Sequence, residues 1–90
     1  MLIKTVSDLR KAMRETRNIY PGGYEFVFIT KDGGELCRDC VKKEFRAIAD
    51  SVSGELMDGW WVIECHSTAN DDSELITCDH CDKTLLDVRE

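Results

Sequence analysis

Apolar residues fall along this chain in two rhythms, and the changes from one to the other mark out its elements. Val6, Leu9 and Met13 recur at helical spacing while Arg10, Lys11, Arg14 and Arg17 take the other side, which predicts an amphipathic helix running to about Arg17. Thr5 and Asp8, a hydroxyl followed three residues later by a carboxylate, place its start. Tyr20-Pro21-Gly22-Gly23 stops it, because Pro21 presets φ for the second position of a turn and Gly22 supplies the positive φ of a type II turn. The rhythm then changes to that of a strand. Tyr24 to Thr30 is aromatic and β-branched, Lys31-Asp32-Gly33-Gly34 is a hairpin signal, and Glu35 to Cys37 is the return strand.

Beyond Cys40 the helical period resumes. Val41, Phe45, Ile48, Ala49 and Val52 form one face, Lys42, Lys43, Glu44, Arg46 and Asp50 the other, and Gly54 lies just past the expected end. Gly59 marks a second break before the β-rich run Trp60 to His66. Alternation along that run places Trp61, Ile63 and Cys65 on one face and Trp60, Val62, Glu64 and His66 on the other. Thr68 to Glu74 is polar enough for a loop, Leu75-Ile76-Thr77 reads as a short strand, and Leu85, Leu86 and Val88 make a last apolar patch.

Ninety residues make one domain with a core close to marginal, so a covalent or metal staple is physically useful. Five cysteines are available for it. As disulfides they would leave one thiol over, and Lys4 and Ser7-Asp8 follow the short apolar start where a secretory signal would continue. A reducing cytoplasm is therefore expected, where closely spaced cysteines are metal ligands or redox groups. No apolar run approaches the roughly 18 residues that a membrane-spanning helix requires, so membrane partners are not expected.

Cys37-Arg38-Asp39-Cys40 and Cys78-Asp79-His80-Cys81 form two C-x-x-C pairs. Each turn lets two sulfurs reach one ion, so Cys37, Cys40, Cys78 and Cys81 are the expected ligands of one structural Zn²⁺. The 37 residues from Val41 to Thr77 must then fold back on themselves to join the pairs. The first pair opens a predicted helix, whose free N–H groups stabilise thiolate, and the second follows a strand like a metal knuckle. A redox reading of the first pair would need a parallel βαβ frame, which the pattern lacks. Cys65 and His66 are also competent ligands. Four cysteines already close a tetrahedron, so Cys65 is expected as a core thiol, with His66 and His80 at the surface or behind the ligands. These patterns together predict an α+β fold: a small zinc-ribbon or treble-clef-like domain, two helices on a small antiparallel sheet.

A net charge of −6 argues against a main role in gripping phosphate. Zinc would take it to −8, since four thiolates add −4 and the ion +2. Residues 1–18 nevertheless carry five bases against two acids, and residues 67–82 carry five acids and no base. Asp71, Asp72 and Glu74, with Trp60 as an aromatic anchor, are the expected contacts to a basic protein partner. The alternatives are a nucleic-acid-binding ribbon using Arg10, Lys11, Arg14 and Arg17, and a thiol redox enzyme. Phosphate loops, nucleophile elbows and H-E-x-x-H are absent from the sequence, so no enzymatic activity is expected.

The succession Tyr20-Pro21-Gly22-Gly23-Tyr24, Lys31-Asp32-Gly33-Gly34-Glu35-Leu36-Cys37-Arg38-Asp39-Cys40 and Cys78-Asp79-His80-Cys81 resembles small zinc-ribbon-type proteins encoded by bacteriophages and prophages. The resemblance implies a metal-stapled accessory protein of a bacterial host cytoplasm, engaging a host or viral protein as an anti-host factor would.

Overall fold

Thr5 and Asp8 form the reciprocal cap that their spacing predicts. The Asp8 backbone N–H donates to Thr5 Oγ1 at 3.1 Å, and Asp8 Oδ2 accepts from the Thr5 N–H at 3.2 Å. This cap starts helix α1, Val6–Glu15, whose Leu9 and Ala12 are buried. The computed structural model describes residues 1–17 and 25–88. The turn expected at Tyr20-Pro21-Gly22-Gly23, and Tyr24 as a strand start, lie outside the described residues. α1 ends at Glu15 rather than Arg17, because Thr16 turns back as its C-cap and its hydroxyl donates to the Ala12 carbonyl at 2.8 Å.

Strands β1, Phe26–Thr30, and β2, Glu35–Cys37, pair antiparallel through the expected hairpin. Gly33 sits at φ 90 in its turn, where a side chain would be strained. Next come helix α2, Arg38–Lys43, and helix α3, Phe45–Gly54. The sequence reads as one helix here, and the break at Glu44 (φ −102, ψ 23) is a correction. Two demands on the segment explain it. α2 must hold Cys37 and Cys40 toward the other cysteine pair, whereas α3 must lay Ile48 and Val52 on the core. The left-handed residue that ends α3 is Glu55 (φ 53) rather than Gly54.

Strand β3, Val62–Ser67, pairs with the other edge of β1 to complete the order β2-β1-β3. Opposite β1, Ile29 faces Glu64 and Thr30 faces Val62, so Ile63 is an extra residue on β3. That irregularity corrects the strict alternation. It brings Val62 and Cys65, three apart, both into the core, at 0% and 3% exposure. Residues 1–3 lie along the outer side of β3, with Ile3 N–H donating to Ile63 O at 2.8 Å and Cys65 N–H to Met1 O at 2.9 Å. Ile3 is buried by this contact, while Leu2 stays exposed.

A 3₁₀ turn, Thr68–Asn70, leads to β4, Leu75–Thr77, and β5, Thr84–Asp87, which form a separate two-stranded sheet. The expected apolar patch is thus a strand: Leu85 and Leu86 are buried, while Val88 beyond its end is exposed. The architecture is α+β, and the described residues form three α-helices and two small antiparallel sheets where the pattern predicted two helices and one sheet. Leu9, Val27, Phe28, Val41, Ile48, Val62 and Ile76 form a common core drawn from both sheets and all three helices.

Candidate metal centre

β2 delivers Cys37 to the mouth of α2, where its sulfur caps the helix by accepting the Cys40 N–H at 3.4 Å. Cys40 follows in the first turn. β4 delivers Cys78, and Cys81 closes the turn to β5. The Sγ atoms of Cys37, Cys40, Cys78 and Cys81 all lie within 4.8 Å of one another. Cys37 and Cys81 sulfurs are 3.6 Å apart, as are those of Cys40 and Cys78. A tetrahedron with Zn–S arms of about 2.3 Å has edges of about 3.8 Å, so the donors fit a metal of that kind. Cys37, Cys40 and Cys78 are buried and Cys81 is exposed, which leaves the site one face toward solvent.

The turn between β4 and β5 is anchored residue by residue. Asp79 Oδ2 accepts the Glu35 N–H at 2.8 Å, and the Asp79 N–H donates to the Glu35 carbonyl at 2.8 Å, so the turn extends the β1–β2 hairpin. His80 meets the Trp60 ring edge-on at 5.2 Å and lies 4.0 Å from Glu44. Lys83 pairs with Glu25 at 2.8 Å and reaches Asp39 on α2 at 3.7 Å. The two cysteine pairs were legible from their spacing. Asp79, His80 and Lys83 as the groups that seat one pair against the other were not, since their partners lie far away in sequence.

Thiolate formation is uneven across the cluster. Burial pushes the Cys40 and Cys37 thiols up. Burial acts on Cys78 as well, but backbone hydrogen bonds from Cys37, Cys81 and His80 outweigh it and hold that thiol at about 7. The ring of N–H donors is suited to a sulfur that carries negative charge when a metal binds.

Asp82 follows the last cysteine at φ 63, a left-handed conformation that costs a side-chain-bearing residue strain. Asp82→Gly is expected to stabilise the metal-loaded protein by about 0.5 kcal/mol, relief of that strain outweighing the added freedom of the unfolded chain. Urea unfolding would measure it, and a loss of stability would show that the Asp82 side chain contributes something that the backbone conformation does not.

Cys65 is buried on β3 and stands outside the group of four, its thiol pushed up by burial to about 11. His66 also stands apart. Its Nε2 is 2.8 Å from Asp71 Oδ2, and its Nδ1 is 3.3 Å from Glu64 Oε1. Asp71, one of the expected partner contacts, is thereby engaged within the domain, and its other oxygen accepts the Ser73 N–H at 2.8 Å. Asp72 and Glu74 are exposed, and Trp60 is half-buried against His80.

Hydrogen bonds from the Ser73 side chain, from His66 and from the Ser73 backbone hold the Asp71 carboxyl at about 2, below its ordinary 3.8. Its ionised form therefore contributes stability above pH 3.8, and that contribution is lost as pH falls from there toward 2. Asp71→Asn is expected to be less stable than the parent protein at pH 7, because the variant gives up the ionised form that these hydrogen bonds favour. Urea unfolding of the two metal-loaded proteins at pH 7 would measure the gap, well above the acid range in which protons displace a metal from its thiolates. Equal midpoints would remove the carboxylate from the account.

Overall, the described residues form a small domain with a clustered four-cysteine site consistent with a zinc-binding module, and none of their helices is long and apolar enough to cross a membrane. Comparison of the chain with protein families, with curated proteins and with solved structures finds no match.

Proposed function

We propose that this chain is a non-enzymatic module, stapled by one Zn²⁺ on Cys37, Cys40, Cys78 and Cys81, that binds a protein partner as an accessory or anti-host factor would. The observation that carries the reading is the four-sulfur cluster, drawn from two pairs separated by 37 residues and seated by Asp79, His80 and Lys83. Four thiolates fill a tetrahedral ion and leave no position for a reacting water, which supports a structural metal over a catalytic one. Zinc would hold the β4–β5 hairpin against α2 and β2, and so keep the surrounding surface rigid enough to be recognised. On that surface Asp72, Glu74 and Trp60 are the groups available to a basic partner, while Asp71 braces the segment through His66.

Elemental analysis of the purified protein tests the staple: one zinc per chain is expected. Cys40→Ser should lower the occupancy, whereas Cys65→Ala should keep it and lose only packing. A metal-free protein that is folded, with free thiols and a stability indifferent to added zinc, would sink the proposal. If Cys65→Ala empties the site while Cys40→Ser leaves it full, the strand cysteine belongs to the metal.

A further inference from the structure

The positive charge of the N-terminal third is not spread evenly over α1. Arg14 on that helix and Arg17 just past its C-cap face Arg38 and Lys42 from α2 across a cleft of about 440 Å³, with Met13 and Phe45 completing its lining. These are four bases and no acid, on a protein whose net charge is −6. None of the four takes part in an ion pair among the described residues. Arg38 is held in place by its Nε donating to Thr16 Oγ1 at 3.0 Å and its Nη2 to the Met13 carbonyl at 2.8 Å. Two of its five N–H donors are committed in this way, and the guanidinium is pre-oriented for a carboxylate. Met13 and Phe45 are partly buried and pack against the core, so the floor between the charges is apolar and firm.

We infer that this cleft between α1 and α2 is a docking site for an acidic segment of a protein partner, one that inserts an apolar side chain between Met13 and Phe45 and sets carboxylates against Arg14, Arg38 and Lys42. The inference rests on the reading of the chain as a protein-binding module and names the chemistry of a second contact, an acidic segment at the cleft, separate from the basic surface that Asp72 and Glu74 would meet. A concentrated positive field over an apolar floor fits both halves of such a segment. Nucleic acid fits less well, because a long polyanion would extend beyond the four bases over the rest of a protein whose net charge is −6, whereas a short peptide can lie within the cleft. A second copy of the chain could offer Asp72, Glu74 and the exposed Leu75, but two acidic proteins repel each other.

The test uses fluorescence anisotropy on the zinc-loaded full chain, with a labelled peptide of glutamates carrying leucines three and four residues apart. Arg14→Glu combined with Lys42→Glu should weaken binding about tenfold or more, while Arg10→Glu with Lys11→Glu, the same charge change elsewhere on α1, should have a much smaller effect. Replacing the leucines by serines should also weaken binding. Equal losses from the two double variants would overturn the inference in favour of a diffuse field, as would indifference to the leucines. Tighter binding of single-stranded oligothymidine would reassign the cleft to nucleic acid, and sedimentation showing self-association that Arg14→Glu with Lys42→Glu abolishes would reassign it to a second copy. Zinc content and circular dichroism are recorded on each sample. A folded, zinc-loaded protein that ignores the peptide rejects the cleft and leaves the stapled module standing, whereas peptide binding by a protein that takes up no zinc rejects the staple and keeps the cleft.

Discussion

Removing the proposed zinc with a strong chelator at neutral pH is expected to unfold the protein, with loss of helical circular dichroism and a red shift of tryptophan emission. The size of the effect follows from two magnitudes. A structural zinc site contributes about 10–16 kcal/mol of apparent binding free energy, against about 5–15 kcal/mol for the net stability of a whole domain. Without the ion, the second sheet would be held chiefly by burial of Ile76, Leu85 and Leu86, with no tie through sulfur between its turn and α2. Trp60 reports on that tie directly, because its ring lies against His80 in the same turn. Cys78→Ser should cost more than Cys81→Ser, since Cys78 is fully buried and Cys81 is exposed, so only the first leaves an enclosed hydroxyl in place of sulfur. Affinity should fall as the solution is acidified, because the ligands bind as thiolates and protons compete for them. A chelated protein with unchanged dichroism and emission would show that the apolar core suffices and would reduce the cysteines to a passenger site.

The second large effect is expected at a residue that touches no metal. A Cβ on Gly34 would lie 2.7 Å from Thr30 Oγ1 and 3.4 Å from Asp79 Oδ2. The hydroxyl cannot simply swing away. Thr30 is 2% exposed, and its Oγ1 accepts the Gly34 N–H at 2.8 Å while donating to Asp32 Oδ1. Gly34→Ala should therefore destabilise the protein by about 2–3 kcal/mol, through overpacking and the loss of these bonds. It should also weaken zinc binding, because relieving the clash with Thr30 shifts the backbone at Gly34, next to the Glu35 N–H that holds Asp79, although the approach to Asp79 itself is an ordinary contact. Gly33→Ala is the control. Gly33 has open space around it but φ 90, so only backbone strain of about 1 kcal/mol is expected there, with the metal site unaffected. Urea unfolding and competition against a chromophoric chelator would separate the two effects. If Gly34→Ala proves as mild as Gly33→Ala, the hairpin and the knuckle are less tightly joined than the geometry says.

What could be read without coordinates were the features whose causes are local. The cap of α1 needs only Thr5 and Asp8, three residues apart. The hairpin needs only Lys31-Asp32-Gly33-Gly34, and each C-x-x-C turn brings its two sulfurs together within four residues. Helical and strand periods likewise reflect the exposure of neighbouring positions, which is why α1, β1, β2 and β4 fell close to where the pattern placed them. Tertiary structure decided whatever depended on residues meeting from far apart. The break at Glu44 arises because one helical stretch serves both a cysteine site and a core. The extra residue at Ile63 arises because Val62 and Cys65 must both reach that core from one strand paired to β1. Asp71 was expected as a contact to a partner, and that its carboxylate also meets His66 within the domain had no sign in the sequence. Asp79 meets Glu35 across 44 positions, and Arg38 meets Thr16 across 22, which shapes the basic cleft. Such pairings leave no periodic trace in the sequence, because each depends on the chain having already folded back and on two single side chains meeting with the right geometry.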